Sequence, residues 1–234
     1  MKKMPVYIVP GWTYQLDRWL PIAEGLKRAG LEVNLLSVPG LTGKELKRAW
    51  TLDDYAEWLR KELPGKGQVF LLAHSNGGRI SLAYLEKYQA EGRVAKLILV
   101  DSAGLIDKRL KVRVKRSVFA AAAKMGKKLT KRGGLGEKIL YKLARESDYR
   151  QATPVMKETM QNLIGVDLAE AAKKVKLPTL IIWGEDDSYT PLFQGREMFG
   201  LIAGAKLKII KGAGHSPHFT HEPEVRRALV EFLD

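Results

Sequence analysis

The chain has 234 residues, 45% of them hydrophobic and 28% charged, with no cysteine and a formal charge of +14. That composition fits a globular protein with a sizeable core and excludes disordered and fibrous classes, while the lack of cysteine excludes disulfide frameworks, thiolate nucleophiles and Cys-ligated metal centres. No apolar run reaches the ~18 residues of a membrane-spanning helix and the first residues lack a signal peptide's apolar core, so a cytoplasmic location is expected.

In chain order, a β-branched run over 5–9 ends at Pro10-Gly11, which predicts a strand opening into a loop. Similar runs over 31–38, 68–73, 95–100, 179–183 and 206–210 predict five more strands. Most are continuously apolar, the pattern of strands buried on both faces of a parallel sheet. Between them the apolar spacing predicts amphipathic helices over 17–29, 51–63, 77–88, 192–202 and 222–233. Thr51 and the acids after it suit a helix start, with Trp50 and Trp58 packing on that helix and Trp183 buried. Alternating strands and helices of these lengths predict an α/β class with a right-handed, mostly parallel six-stranded sheet flanked by helices.

About 75 residues without a strand signal separate Val100 from Thr179. They read as a helical cap inserted after the fourth strand, giving a core of 1–104 with 173–234 and a cap of 105–172. Val114, Val118, Ala121, Met125 and Leu129 repeat at helical spacing, Gly133-Gly134 breaks that helix, and further helices are expected over 137–145 and 154–163. The stretch 105–146 carries 14 Lys and Arg against three acids, a net +11 that leaves only +3 for the rest of the chain. Three readings fit: a solvated face, contact with an anionic membrane or polyanion, or steering of anionic substrates. With no recognised nucleic-acid-binding fold, specific nucleic-acid binding is not expected.

The sharpest motif is Val69-Phe70-Leu71-Leu72-Ala73-His74-Ser75-Asn76-Gly77-Gly78, an apolar strand running through small-x-Ser-x-Gly into a helix. A sharp strand-to-helix turn lifts a serine oxygen clear of the backbone, and small residues on either side permit the close approach. A serine needs an adjacent base, and the base an orienting carboxylate. Downstream, Trp183-Gly184-Glu185-Asp186-Asp187 opens an acidic turn after one strand, and Lys211-Gly212-Ala213-Gly214-His215 ends another. Side chains at the carboxyl ends of parallel strands converge on one rim.

On these motifs the chain resembles the α/β-hydrolase superfamily, in particular its compact, capped bacterial carboxylesterase-like members, over essentially its whole length. The resemblance implies Ser75 as nucleophile, His215 as general base and Asp187 as triad acid. Glu185, Asp186 and, after the fourth strand, Asp101 are the alternative acids. It further implies an oxyanion hole from the backbone N–H groups of Asn76 and of Trp12, although Pro10 stands where the family usually has histidine. The family's usual amino-terminal hairpin is missing, hence six core strands rather than eight.

His74, Tyr14, Trp19 and His218 are expected to line the substrate pocket, with His218 the runner-up base. His215, His218 and His221 recur at spacings of three, but no carboxylate completes a ligand set, so no metal is expected. No phosphate-cradling glycine loop follows the first strand, so no organic cofactor is expected either. The expected activity is hydrolysis of small to medium acyl esters through an acyl-enzyme. Alternatives on the same triad are carbon–carbon bond hydrolysis, thioester hydrolysis and monoacylglycerol lipolysis. From another class comes an idle scaffold that binds anionic surfaces through its basic segment.

Overall fold

The computed structural model describes residues 4–13, 15–106 and 152–234. Six strands form one sheet: β1 (Val6–Val9), β2 (Val33–Leu35), β3 (Val69–His74), β4 (Val94–Val100), β5 (Thr179–Gly184) and β6 (Lys206–Ile210). Their order is β2-β1-β3-β4-β5-β6, and every neighbouring pair is parallel. From β1 the chain steps outward to β2, then crosses back to β3 and proceeds to the opposite edge. The order therefore reverses between β1 and β3, and the crevice beyond the strand ends at such a reversal is where open α/β sheets bind ligands.

The apolar strands alternate strictly between two cores. Leu71, Ala73, Leu97, Leu99, Ile181 and Trp183 face one side, where they meet α2 (Leu52–Glu62), α3 (Asn76–Tyr88), α5 (Ala169–Lys173) and α6 (Leu192–Leu201). Phe70, Leu72, Ile98, Val100, Leu180 and Ile182 face the other, against α1 (Leu20–Arg28) and α8 (Glu222–Leu233). Both faces are covered, which is why the interiors of β3 and β5 are apolar; Lys96, near the start of β4, donates to the Phe232 carbonyl at 2.7 Å. Each fully buried aliphatic side chain contributes roughly 1.5 to 3 kcal/mol.

Two expected elements differ in extent. The helix expected over 17–29 is divided, with a 3-10 turn at Leu16–Trp19 preceding α1, whose first turn holds Pro21. Proline lacks the N–H of a helix interior but fits a first turn, so it marks the start of α1. The strand expected over 31–38 shrinks to the three residues of β2, an edge strand paired only with the four residues of β1. Helix α2 starts as expected: Asp54 N–H donates to the Thr51 hydroxyl, and Thr51 N–H donates back to the Asp54 carboxylate at 2.8 Å.

Helix α4 (Pro154–Ile164) matches the helix expected there, and its Met156 packs with Trp12 and Leu46. Buried Arg79 of α3 donates to the carbonyls of Leu163 and Val166 at 2.8 and 2.6 Å, tying the carboxyl end of α4 to the core. A short α7 (Pro217–Thr220) leads into α8. Tyr14, the helix carrying Val114 to Leu129, the helix over 137–145 and most of the basic run lie outside the described residues. Among the described residues, no helix is long and apolar enough to cross a membrane.

Candidate active site

The turn between β3 and α3 is built by close backbone approach. Ser75 holds φ 51° and ψ −120°, a region that costs a non-glycine residue about 1 to 3 kcal/mol. The structure repays it locally: Ser75 N–H donates to the Val100 carbonyl at 3.1 Å, and the Ser75 carbonyl accepts from Gly78 and Ala103 at 3.0 and 2.9 Å. A Cβ at Gly77 would overlap the Val9 carbonyl oxygen and stand 2.7 Å from that of Pro10. Glycine at this position lets α3 start directly over the end of β1.

Ser75 Oγ lies 2.8 Å from His215 Nε2, and His215 Nδ1 lies 2.7 Å from Asp187 Oδ2. A carboxylate only accepts, so the imidazole proton sits on Nδ1 and leaves Nε2 to accept from the serine hydroxyl. His215 is held from behind: His74 Nε2–H donates to its backbone carbonyl at 2.8 Å. The Asp187 side chain is fully buried and that of His215 is 12% exposed. Burial opposes the charge on Asp187, but hydrogen bonds from His215, the Thr190 hydroxyl and Tyr189 N–H outweigh it and hold the carboxyl below its usual range.

Of the acids considered, Asp187 meets His215. Glu185 and Asp186 are exposed, and Glu185 instead accepts from Gly212 N–H at 3.2 Å. Asp101 is buried and bonded to Gly184 N–H at 2.8 Å. His218 stacks on Trp19, with ring centroids 4.0 Å apart and planes at 11°, and meets His74 edge-on. His221 pairs with the Thr220 hydroxyl at 2.9 Å, so His215, His218 and His221 do not converge. Among the described residues, potential ligand atoms of His74, Asp101 and His215 do lie within 4.8 Å of one another. Both His215 nitrogens and His74 Nε2 already carry hydrogen bonds, so this group fits a hydrogen-bonded network rather than a metal cage.

A cleft of about 40 Å³ opens onto Ser75 and His215, with Trp12, Arg18, Trp19, His74, Tyr189 and His218 in its walls. Asn76 is the first residue of α3, and the first N–H groups of a helix have no partner within it. A larger groove of about 470 Å³ between α1 and α8 includes Arg226, which is paired with Glu222. It shares no lining residue with the cleft at Ser75.

Thr190 is the residue that sequence reasoning missed. Its hydroxyl donates to Asp187 Oδ2 at 2.7 Å and lies 3.2 Å from both His215 Nδ1 and the Asp101 carbonyl. Its N–H donates to Asp187 Oδ1 at 3.0 Å, and its carbonyl accepts from Trp183 Nε1 at 2.7 Å. An Asp that bonds N–H groups two and three residues on is a recognisable turn signal, and Asp187-Ser188-Tyr189-Thr190 carries it. A hydrogen bond to a charged group contributes about 1.5 to 3 kcal/mol. Thr190→Val is therefore expected to lower kcat/KM about 10- to 100-fold with little change in KM, and Thr190→Ser to recover most of it in steady-state assays.

A serine on a sharp strand-to-helix turn at the strand-order reversal, hydrogen-bonded through histidine to an acid after a later strand, is the arrangement found in the hydrolase class of α/β proteins. The chain belongs to the alpha/beta hydrolase family, whose family model matches residues 6–228. An esterase from Exiguobacterium antarcticum is 21% identical, with a TM-score of 0.74 over 100% of this chain and 93% of its own. A serine hydrolase involved in carbazole degradation is 24% identical, with a TM-score of 0.72 over 99% and 91%. Both are similar in fold. A 2-hydroxy-6-oxononadienedioate/2-hydroxy-6-oxononatrienedioate hydrolase of Klebsiella pneumoniae is 30% identical over 67 residues. That stretch covers 29% of this chain and 23% of the relative's length.

Proposed function

We propose that the protein is a serine hydrolase that cleaves carboxylic esters of small to medium acyl chains. The observation that carries this reading is the unbroken chain from Ser75 Oγ through His215 to Asp187, at 2.8 and 2.7 Å. Ser75 Oγ attacks the ester carbonyl carbon while its proton passes to His215 Nε2. The carbon–oxygen bond to the alcohol then breaks, and the departing oxygen takes that proton. Water repeats the sequence on the acyl-enzyme: its proton goes to His215, its oxygen to the acyl carbon, and the released Ser75 oxygen takes the proton back. Asp187 keeps Nδ1 protonated and balances the imidazolium in each half.

Negative charge on the carbonyl oxygen is stabilised by the N–H groups of Asn76 and Trp12; each such donor is worth about 10² to 10³ in rate. The roughly 40 Å³ cleft walled by Trp12, Trp19, His74 and His218 supports a small acyl group. Residues 105–172 form the cap in this reading, and 1–104 with 173–234 the catalytic core.

The partial likeness to the dienedioate hydrolase favours one alternative, cleavage of a carbon–carbon bond beside a carbonyl by the same groups. Rates on a panel of p-nitrophenyl esters against vinylogous diketones separate the two. Prior to either, a fluorophosphonate probe tests the shared premise. One adduct is expected, mapped to Ser75 by peptide mass and lost or greatly slowed in His215→Ala. A well-folded protein that takes no label at Ser75 would overturn the reading.

A further inference from the structure

Rings and hydroxyls make up most of the cleft at Ser75, and among its described residues one side chain carries a permanent charge. No Asp, Glu or Lys lines it, but Arg18 does. The Asp187 carboxylate lies across the His215 ring from Ser75, buried and bonded to His215, to the Thr190 hydroxyl and to two backbone N–H groups. Asp17, next to Arg18 in the chain, is exposed and does not line the cleft. Among the described residues, therefore, the nucleophile's cleft holds a cation with no carboxylate set against it.

Two adjacent stackings fix where that cation stands. The 3-10 turn Leu16–Trp19 packs on α7, with Trp19 flat on His218 and the Arg18 guanidinium over the Phe219 ring, 5.3 Å from its centroid. Helix α7 starts at Pro217, two residues after His215, so the element that seats Arg18 is tied to the base itself. A contact over a ring face uses none of the five N–H donors of a guanidinium. The half-buried Arg18 side chain has no hydrogen bond or ion pair to another described residue, so those donors remain for a ligand.

We propose that Arg18 selects substrates with a second, ionised carboxyl group on the acyl side, that is, monoesters of short dicarboxylic acids. The inference rests on the reading of this cleft as the acyl site of an ester hydrolase. A planar guanidinium meets a carboxylate through two parallel N–H···O bonds, which fixes direction as well as charge. The acyl group is then held at two points, its ester carbonyl at Ser75 and its free carboxylate at Arg18. The narrow cleft of about 40 Å³ keeps the chain between them short. Cleavage releases the alcohol and leaves the dicarboxylate, which retains the group that Arg18 binds.

The test measures kcat/KM on monomethyl succinate and monomethyl glutarate, each beside the uncharged ester in which an amide replaces the free carboxylate. The ratio within each pair isolates the charge, since the two molecules have nearly the same shape. For the wild type a ratio of about 10 to 100 in favour of the anion is expected. Arg18→Gln is expected to bring it close to 1, and Arg18→Lys, which keeps the charge but loses the fork, to leave it in between. Because both substrates are read on one protein, a general loss of activity or of folded protein cancels in the ratio. A wild-type ratio near 1 with all esters cleaved would overturn the proposal and leave the ester reading standing, as would an Arg18→Gln protein that keeps the wild-type ratio.

Calorimetric titration with glutarate gives a readout that needs no turnover. Arg18→Gln is expected to weaken binding at least 10-fold, and glutarate that binds wild type and variant alike would count against Arg18. A protein that cleaves none of the esters but binds glutarate through Arg18 would sink the ester reading and leave the carboxylate site in place. One that neither cleaves the esters nor binds glutarate would overturn both.

Discussion

Replacing Ser75 with alanine is expected to lower kcat/KM on any ester the protein turns over by about 10⁴ to 10⁶, and replacing His215 with alanine by a similar factor. The two losses are not independent. In the proposed mechanism Ser75 Oγ, 2.8 Å from His215 Nε2, acts as a nucleophile only while that nitrogen can take its proton, and the imidazole has nothing to activate once the hydroxyl is gone. The Ser75→Ala/His215→Ala protein is therefore expected to be no worse than either single variant, with what activity remains coming from oxyanion stabilisation and binding. KM is expected to change little, because neither group holds the ground-state ester. Steady-state kinetics, corrected by titration of active sites, would read all three, and additive losses would mean that the two residues act in separate steps.

The second large effect is expected at a residue with no functional group. Gly77→Ala places a methyl into the Val9 carbonyl oxygen and 2.7 Å from that of Pro10, both backbone atoms at the end of β1. A side-chain neighbour could rotate away, but β1 is pinned between β2 and β3 and its carbonyls cannot. Either α3 lifts off the sheet or the Val9–Pro10 backbone moves, and the latter carries Trp12 with it. A loss of about 3 kcal/mol or more in stability is expected, at the upper end of overpacking costs. Urea denaturation measures it directly. Activity should fall beyond what the lost stability explains, because Asn76 and Trp12 shift together. Gly77→Ala with wild-type stability would mean that the elbow tolerates a Cβ and that the glycine serves some other end.

The same contact shows why the elbow is legible in the sequence. A glycine at 77, two residues after Ser75, is demanded by backbone collision, and a collision leaves its mark at a fixed sequence offset. Strands were legible for a related reason. Burial on both faces keeps polar residues out of the interiors of β3 and β5 and out of Leu97–Val100 of β4, whatever their partners are. The shared family pattern placed His215 and Asp187, each just beyond a strand end, where the parallel sheet gathers them.

Local sequence determined the six strands, the parallel class and the elbow, and the resemblance to the family singled out His215 and Asp187. It also carried a mark of Pro21 as a helix start, although periodicity ran the helix through it. Tertiary structure supplied the physical reason for that choice of acid: in the shared turn Asp187 is buried against His215, while Glu185 and Asp186 are exposed. It decided the length of β2, whose three residues pair only with Val6, Tyr7 and Ile8 of β1. It decided that Thr190 seats Asp187 and that Asp101 lies beside the same imidazole. Those pairings join residues whose spacing in the chain has no periodic or steric relation to one another, so only the folded path of β4, β5 and the loops beyond them brings them together.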